Sequence, residues 1–269
     1  MKYDIDFFNN YLKDNLSSDR YVHSLGVAKL SYKLAEAHNY DPDKAYFAGL
    51  VHDIAKELSE EEHNRILIDN NDLEAIKYSY KVKHSFCGKY LLKNMFNIDD
   101  DDILDAVYNH TVLRSDKLLS KIVYIADKRD ETREINDDVV EIAMNDLDKA
   151  VNLLVESFKK EKEIKLFHSI KEIIDKKFGE DIKIIDFRNN SPFMDYAFVC
   201  SAKNNRIASS IVNEINKWCK EHSISVKSQD FRSDEWQYID LGDIVIHIFV
   251  GESRDKYSLD SLWKDLIIE

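Results

Sequence analysis

Apolar residues in the first half of the chain recur every three or four positions, the period of an amphipathic helix. Ile5, Phe8 and Leu12 share one face over Asp4–Asn15. Ser17-Ser18-Asp19 then supplies an N-cap and an acidic first turn. The next helix runs to about His38. It carries Tyr21, Leu25, Ala28, Tyr32 and Ala35 on one face and Val27, Leu30, Leu34 and Ala37 on a second, which predicts a well-buried helix. Asp41-Pro42 restarts the chain, with Asp41 as cap and Pro42 at the first helical position. The helix that follows places Ala45, Ala48, His52 and Ala55 along one side and extends past Asp53 to Lys56. Small residues at that spacing let neighbouring helices approach closely. Glu57–Tyr80 is polar and irregular and reads as one or two short helices, and His63, among Glu61, Glu62, Asn64 and Arg65, reads as exposed. Val82–Phe96, Ile103–Thr111 and Leu118–Asp130 are three more helices.

The pattern changes near residue 160. Ser157–Lys165 is a charged stretch, a linker or a helix surface, and Ile164–Phe178 an amphipathic helix closed by Gly179. Alternating β-branched and aromatic runs then predict strands at Ile182–Phe187, Tyr196–Ser201, Ile224–Ser228, Trp236–Asp240 and Ile244–Val250. Helices are expected over Lys203–His222 and Ser253–Ile267, and Leu241-Gly242-Asp243 suits a hairpin turn. The expected architecture is therefore multidomain: an all-α helical bundle over 1–162, then a smaller α/β domain over 163–269 with one sheet flanked by helices.

With 269 residues, 44% of them hydrophobic and 33% charged, the chain has enough apolar material for two folded cores. Six Gly and two Pro favour helix over barrel or sandwich. The net charge of −13 argues against broad binding of a phosphate backbone, which needs a basic face. Both halves are acidic, at −9 before the 162/163 boundary and −4 after it. Cys87, Cys200 and Cys219 are odd in number and lack a C-x-x-C spacing, so they read as free thiols of a reducing, cytoplasmic compartment. Met1–Leu16 lacks the apolar core of a signal peptide, and no apolar run approaches membrane-spanning length, so no membrane partner is expected.

Candidate chemistry concentrates in the helical half. His52 and Asp53 are adjacent, and both side-chain types bind divalent metals. His23 precedes them, and His84, His110 and Asp127 follow, each on a separate predicted helix. Asp127 lies among Leu119, Ile122, Val123 and Ala126, and a carboxylate on an apolar face is costly unless paired or metal-bound.

The order H…HD…H…H…D is more specific than its parts, and over about residues 4–160 the chain resembles the HD-domain metallophosphohydrolases. It is most similar to the bacterial HD-domain family that hydrolyses diadenosine tetraphosphate symmetrically. The matching stretches are Arg20–Val27, His52–Lys56, His84–Gly88, Asn109–Thr111, Ala126-Asp127 and Asp146–Ala150. The resemblance implies that His23, His52, Asp53, His84, His110 and Asp127 hold a pair of metals, usually iron. Asp53, with two oxygens, suits a bridging role; His23, His52 and Asp127 complete one site, and His84 and His110 the other. A water shared by two such ions loses a proton near neutral pH, and the ions stabilise charge on the attacked phosphate. Lys56, Arg20 and Arg133 are candidates to hold phosphate oxygens, and Thr111 to donate a hydrogen bond. One departure follows Asp127. The family continues with an aromatic and an acidic-Pro-Gly-Arg turn, where this chain has Lys128-Arg129-Asp130-Glu131-Thr132-Arg133.

Over about residues 163–269 the chain resembles the ribosomal silencing factor (Iojap-like) family. The matching pieces are Ile184–Arg188, Phe193–Tyr196, Glu235-Trp236, Asp240–Phe249, Glu252–Arg254, Tyr257–Leu259 and Leu262-Trp263. In contrast, Asp195, Asp240, Asp243 and His247 lack the accompanying motifs of a nucleotidyl transferase. The resemblance implies a mixed sheet without catalysis that binds a protein of the large ribosomal subunit and blocks subunit joining, and it suggests pairing through the sheet as a homodimer. Tyr196, Trp236, Asp243, His247, Arg254 and Tyr257 are the candidate contacts, whereas Trp263, ringed by Leu259, Leu262 and Leu266, reads as core. Together the two halves imply hydrolysis of diadenosine tetraphosphate to two ADP, fused to translational silencing. The alternatives are an HD phosphohydrolase for another nucleotide, or a ribosome-binding protein with a vestigial metal site.

Overall fold

The structure, a computed structural model, describes residues 3–133, 135, 137–188, 190–222 and 224–269. It divides into two compact units after Phe158. The first is all-helical, as the periodicity predicts. Its elements are α1 (Ile5–Asn15), α2 (Ser18–Ala37), α3 (Pro42–Val51), α4 (Glu60–Asp69), α5 (Leu73–Ile76), α6 (Tyr80–Phe96), α7 (Asp101–Asn109), α8 (Leu118–Arg129), α9 (Val139–Ala143) and the start of α10 (Leu147–Lys176). The stretch read as a linker or helix surface is helix throughout, because α10 continues through it.

Local chemistry sets the helix ends. Asp4, Asp41, Asp72 and Asp100 accept backbone N–H bonds at the starts of α1, α3, α5 and α7. Ser59 and Glu62 form a capping box on α4. The acidic run at 99–102 is more than a solvated turn, since Lys44 pairs with both Asp100 and Asp102.

One buried cluster joins α1, α2, α3, α7, α8 and the start of α10, with Phe8, Phe47, Leu34, Leu50, Val107 and Ile122 among its members. A second cluster around Leu67, Phe86 and Cys87 seats α4 and α5 on α6. His63 belongs here and is only 1% exposed, contrary to the reading above. It lies one turn from buried Leu67, so its charged neighbours point outward while it points in, and Nε2 meets the Ala55 carbonyl at 2.8 Å.

Helices α2 and α3 pack most intimately, and Gly49 makes this possible. A Cβ there would lie 2.8 Å from Ser31 Oγ and 2.9 Å from the Ala28 Cα and the Val27 carbonyl oxygen.

The second unit contains a five-stranded mixed sheet of β1 (Glu180–Asp186), β2 (Tyr196–Ala202), β3 (Ser228–Asp230), β4 (Trp236–Asp240) and β5 (Ile244–Val250), in the order β1-β2-β5-β4-β3. Only β2 and β5 run parallel. Helix α11 (Asn205–Glu221) crosses between them and packs on one face with the end of α10, over Phe198, Ile246 and Ile248. The opposite face gathers Ile185, Phe187, Val199 and Phe249 under the C-terminal residues.

Two elements differ from expectation. The strand expected at Ile224–Ser228 begins only at Ser228; Ile224 and Val226 pack against the core, and Ile224 N–H caps α11 through the Cys219 carbonyl. The helix expected over Ser253–Ile267 breaks at Ser258, whose φ of +52° is left-handed. It becomes α12 (Ser253–Tyr257), α13 (Leu259–Leu262) and a 3₁₀ turn, after which Ile267 pairs with Ile185 at the edge of β1. Trp263 is half-buried and meets Phe187 edge-on at 5.1 Å.

All three cysteines are free and buried, and burial pushes the Cys87 and Cys200 thiols up to about 12. Among the described residues no helix is long and apolar enough to cross a membrane.

Substituting Gly49→Ala should cost about 1–3 kcal/mol through overpacking, despite alanine's propensity advantage of about 1 kcal/mol. Urea unfolding of the full chain checks this, and an unchanged midpoint would show that α2 and α3 can separate freely.

Candidate metal centre

The His52–Asp53 pair does not sit inside a helix. Helix α3 ends at Val51, and the chain leaves it in tight turns, with Ile54 N–H bonded to the Val51 carbonyl and Lys56 N–H to that of Asp53. His52 therefore occupies the C-cap of α3, and its Nδ1 donates to the Gly49 carbonyl at 2.7 Å. His110 repeats this at the end of α7, donating from Nδ1 to the Val107 carbonyl at 2.8 Å. A carbonyl oxygen can only accept, so each bond fixes the tautomer and leaves an Nε2 lone pair facing the interior.

These lone pairs meet the other predicted ligands. Asp53 Oδ1 lies 3.1 Å from His84 Nε2 and 3.3 Å from His110 Nε2. Asp127 Oδ1 lies 3.1 Å from His23 Nε2, and His52 Nε2 is 3.7 Å from a carboxylate oxygen of each aspartate. Three groups have ligand atoms all within 4.8 Å of one another: His23, His52 and Asp53; His52, His110 and Asp127; and Asp53, His84 and His110. All six residues predicted from the sequence are thus brought together, and all are buried. His52 Nε2 is moreover buried without a hydrogen-bond partner among the described residues. An orphaned imidazole lone pair between two carboxylates is what a cation would satisfy, so this donor set fits divalent metal ions.

Electrostatics favour the ligand forms. Burial opposes ionisation of Asp53, but His52, His110 and His84 outweigh it and hold the carboxyl well below its usual range. Burial likewise opposes ionisation of Asp127, and Lys128 with His23 and His52 overcomes it. Burial lowers His84 and takes His110 down to about 4, keeping both neutral. His23 is the exception. Burial pulls it down, yet Asp127 and Asp130 lift it from 6.5 to about 9.

Asp130 is a residue that sequence reasoning missed. It is 1% exposed and accepts from His23 Nδ1 at 3.0 Å, which aims Nε2 at the centre. Its carboxylate rests on α2, where a Cβ on Gly26 would come within 2.6 Å of Asp130 Oδ1. Lying amid Lys128–Arg133 it looks like any solvated acid; the available signal was its i+3 spacing from Asp127. Glu57 is a second such residue. Both of its oxygens accept from Ser17 N–H at 3.0 Å, so it caps α2, the helix bearing Arg20 and His23.

A cleft of about 320 Å³ opens over Asp53, His84 and Asp127, lined also by Arg20, Lys56 and Arg133. Arg20 Nη1 and Lys56 Nζ stand 3.5 and 3.9 Å from Asp53, and Arg133 Nη2 3.3 Å from Asp127. Thr111 Oγ1 is 3.3 Å from His84 Nε2. Arg129 instead turns to Asp137 at 2.7 Å.

In the second unit the predicted contacts separate. Trp236 is half-buried, stacks with Phe249 and donates from Nε1 to His247 Nδ1 at 3.2 Å. His247 is half-buried, and burial takes it down to about 4. Asp243 is exposed and Tyr257 37% exposed. Tyr196 and Arg254 are buried instead, so neither offers a contact surface. The Tyr196 ring packs edge-on against Phe167, and Arg254 forks onto Asp260 at 2.7 and 2.8 Å and donates to the Asp181 carbonyl.

Residues 20–132 match the HD domain, and residues 160–268 match the family of the ribosomal silencing factor during starvation, RsfS. The symmetrical bis(5'-nucleosyl)-tetraphosphatase of Bacillus subtilis is 33% identical over 152 residues, covering 55% of this chain and 80% of its own length. The ribosomal silencing factor RsfS of B. subtilis is 35% identical over 92 residues, 34% of this chain and 78% of its own length. The chain belongs to the HD-domain family in its first half and to the ribosomal silencing factor family in its second. A solved HD superfamily hydrolase from Clostridium acetobutylicum, described as involved in NAD metabolism, superposes with a TM-score of 0.50 at 35% identity, over 65% of this chain and 89% of that one. The probable nicotinate-nucleotide adenylyltransferase/Ap4A hydrolase of Mycoplasma genitalium is 38% identical over 46% of this chain, which spans only 35% of that relative's length.

The raised His23 value has a definite pH signature. Protonation there stabilises the metal-free fold fully below pH 6.5, and that contribution is lost as pH rises through about 9. The metal-free protein should lose stability across this window, and Asp130→Asn should flatten the loss; unfolding at several pH values measures both. Arg254→Ala should destabilise the protein by about 1–3 kcal/mol by removing a buried guanidinium that bonds half-exposed Asp260 and the Asp181 carbonyl, read as a lower unfolding midpoint.

Proposed function

We propose that the HD half hydrolyses diadenosine tetraphosphate symmetrically, releasing two ADP, and that the silencing-factor half docks on the large ribosomal subunit. The observation that carries the enzymatic reading is the set of six buried ligands beneath a cation-lined cleft. His23, His52 and Asp127 would hold one divalent ion and His84 and His110 another, with the Asp53 carboxylate shared between them. When bound, such ions supply Lewis acidity and lower the pKa of a water nucleophile, and iron is the metal we infer. Asp130 holds the His23 ring in register, and the helix-end carbonyls do the same for His52 and His110. Arg20 and Arg133 present guanidinium groups that suit bidentate contact with phosphate oxygens. Burial lowers the Lys56 ammonium, so the charge it carries into the cleft is poorly solvated and gains from an anionic partner. Thr111 adds a hydroxyl donor, and Ile135 and Phe158 supply apolar surface against which a base fits. The local cations oppose the acidic whole, so attraction for a polyanion is confined to the cleft.

The ribosomal reading rests on the aromatic surface around Trp236 and Tyr257, while Asp243 stands at the hairpin, at the other end of β4. The net acidic charge of this half complements a basic ribosomal protein better than RNA. We place both activities in the cytoplasm, where ribosomes and nucleotides meet.

The first experiment is hydrolysis of diadenosine tetraphosphate by the purified chain loaded with iron or manganese. ADP as sole nucleotide product is expected, with turnover abolished in the His52→Ala/Asp53→Ala double variant. Metal-loaded protein that leaves the tetraphosphate intact but cleaves another nucleotide would replace the substrate, not the chemistry. For the other half, Trp236→Ala should weaken co-sedimentation with large subunits about ten-fold or more; undiminished binding would move the contact elsewhere.

A further inference from the structure

Lys128, next to Asp127 in the last turn of α8, brings a cation to the cleft. Lys128 does not turn to solvent. Its side chain is 15% exposed, lines the cleft, and brings Nζ within 2.5 Å of Asp127 Oδ2 and 3.1 Å of the His110 carbonyl. Both acceptors belong to residues of the metal centre. One is a carboxylate with the oxygens a divalent ion requires; the other is a backbone oxygen that stays put whatever occupies the site.

This arrangement is consistent only while Asp127 has charge to spare. A dication at Asp127 Oδ1, the oxygen that faces His23 and His52, would repel an ammonium held at Oδ2 of the same carboxylate. The Lys128 ammonium then keeps its carbonyl tether, and of its three donors at least one is without an acceptor. Lys56 lines the same cleft, so a second ammonium adds like charge there. An oxyanion entering the cleft is the group that relieves all of this.

We propose that Lys128 is a phosphate-contacting residue, passing from Asp127 to a phosphate oxygen when the metal site fills. The proposal rests on the phosphohydrolase reading and deepens it.

The test is calorimetric titration of ADP into the full chain loaded with manganese, with metal content measured for each protein. Wild type, Lys128→Met, Lys128→Gln and Lys128→Arg are compared. Loss of one charge-assisted contact should weaken ADP binding about ten-fold or more in the Met and Gln variants, while Arg retains most of the affinity. Manganese stoichiometry should be unchanged and its affinity equal or higher, because a competing cation has gone. Equal ADP affinity in wild type and both neutral variants at full metal loading would overturn the proposal. So would reduced manganese stoichiometry in the neutral variants, which would make Lys128 a prop for Asp127, and so would absence of ADP binding to wild type. Failure of the substrate reading is visible separately, as ADP binding that depends on Lys128 in a protein that leaves diadenosine tetraphosphate uncut.

Discussion

Burying two carboxylates among helices is the constraint on which the first unit depends. Asp53 and Asp127 are almost fully withdrawn from water inside an apolar bundle, a placement that is unfavourable unless opposing charge and donors surround them. The surroundings answer that need from several directions. His23, His84 and His110 approach from α2, α6 and the end of α7, while Arg20, Lys56, Lys128 and Arg133 approach from the cleft. The close contact of α2 with α3 at Gly49, and of Asp130 with Gly26, exists so that side chains on separate helices can reach one centre.

The cluster of four histidines and two aspartates that could hold metal was legible in the sequence because its members are chemically conspicuous. A histidine or aspartate on an apolar helical face stands out against the period, and six of them in a family order leave little freedom. Helices were legible for the same reason. What escaped was the part whose role depends on contact at a distance. Asp130 and Lys128 lie in a charged hexapeptide that carries no apolar period, and only the folded chain reveals that they turn inward. His63 misled through its neighbours, since four polar residues around it masked a position one turn from Leu67. Even the His-Asp pair was placed in a helix, although the helix stops one residue earlier.

The second unit shows the complementary difficulty. Strand positions read well where both neighbours are strands, as in β4 and β5. They failed at β3, where Ile224 and Val226 alternate correctly yet pack beneath the sheet without joining its ladder. Similarly, the helical period after Ser253 is real, but the chain breaks at Ser258 and lays its apolar residues across the second face of the sheet. Motif resemblance located Tyr196 and Arg254 without distinguishing a residue that builds the domain from one it displays. That distinction is a matter of solvent exposure, which a linear pattern does not contain.

The bonds from His52 and His110 to their own helices divide the centre into two layers of unequal freedom. Each ring is anchored to a carbonyl three residues back, so its position follows from the backbone of α3 or α7 and hardly at all from neighbouring side chains. Glu57 extends the same anchoring to α2 through Ser17. The cations above, by contrast, hang from long flexible stems, Arg20 and Lys128 on helices and Lys56 and Arg133 outside them. Substitutions in that upper layer can therefore change the charge and shape of the cleft while the geometry below stays fixed, so the lining and the buried cluster are free to vary independently.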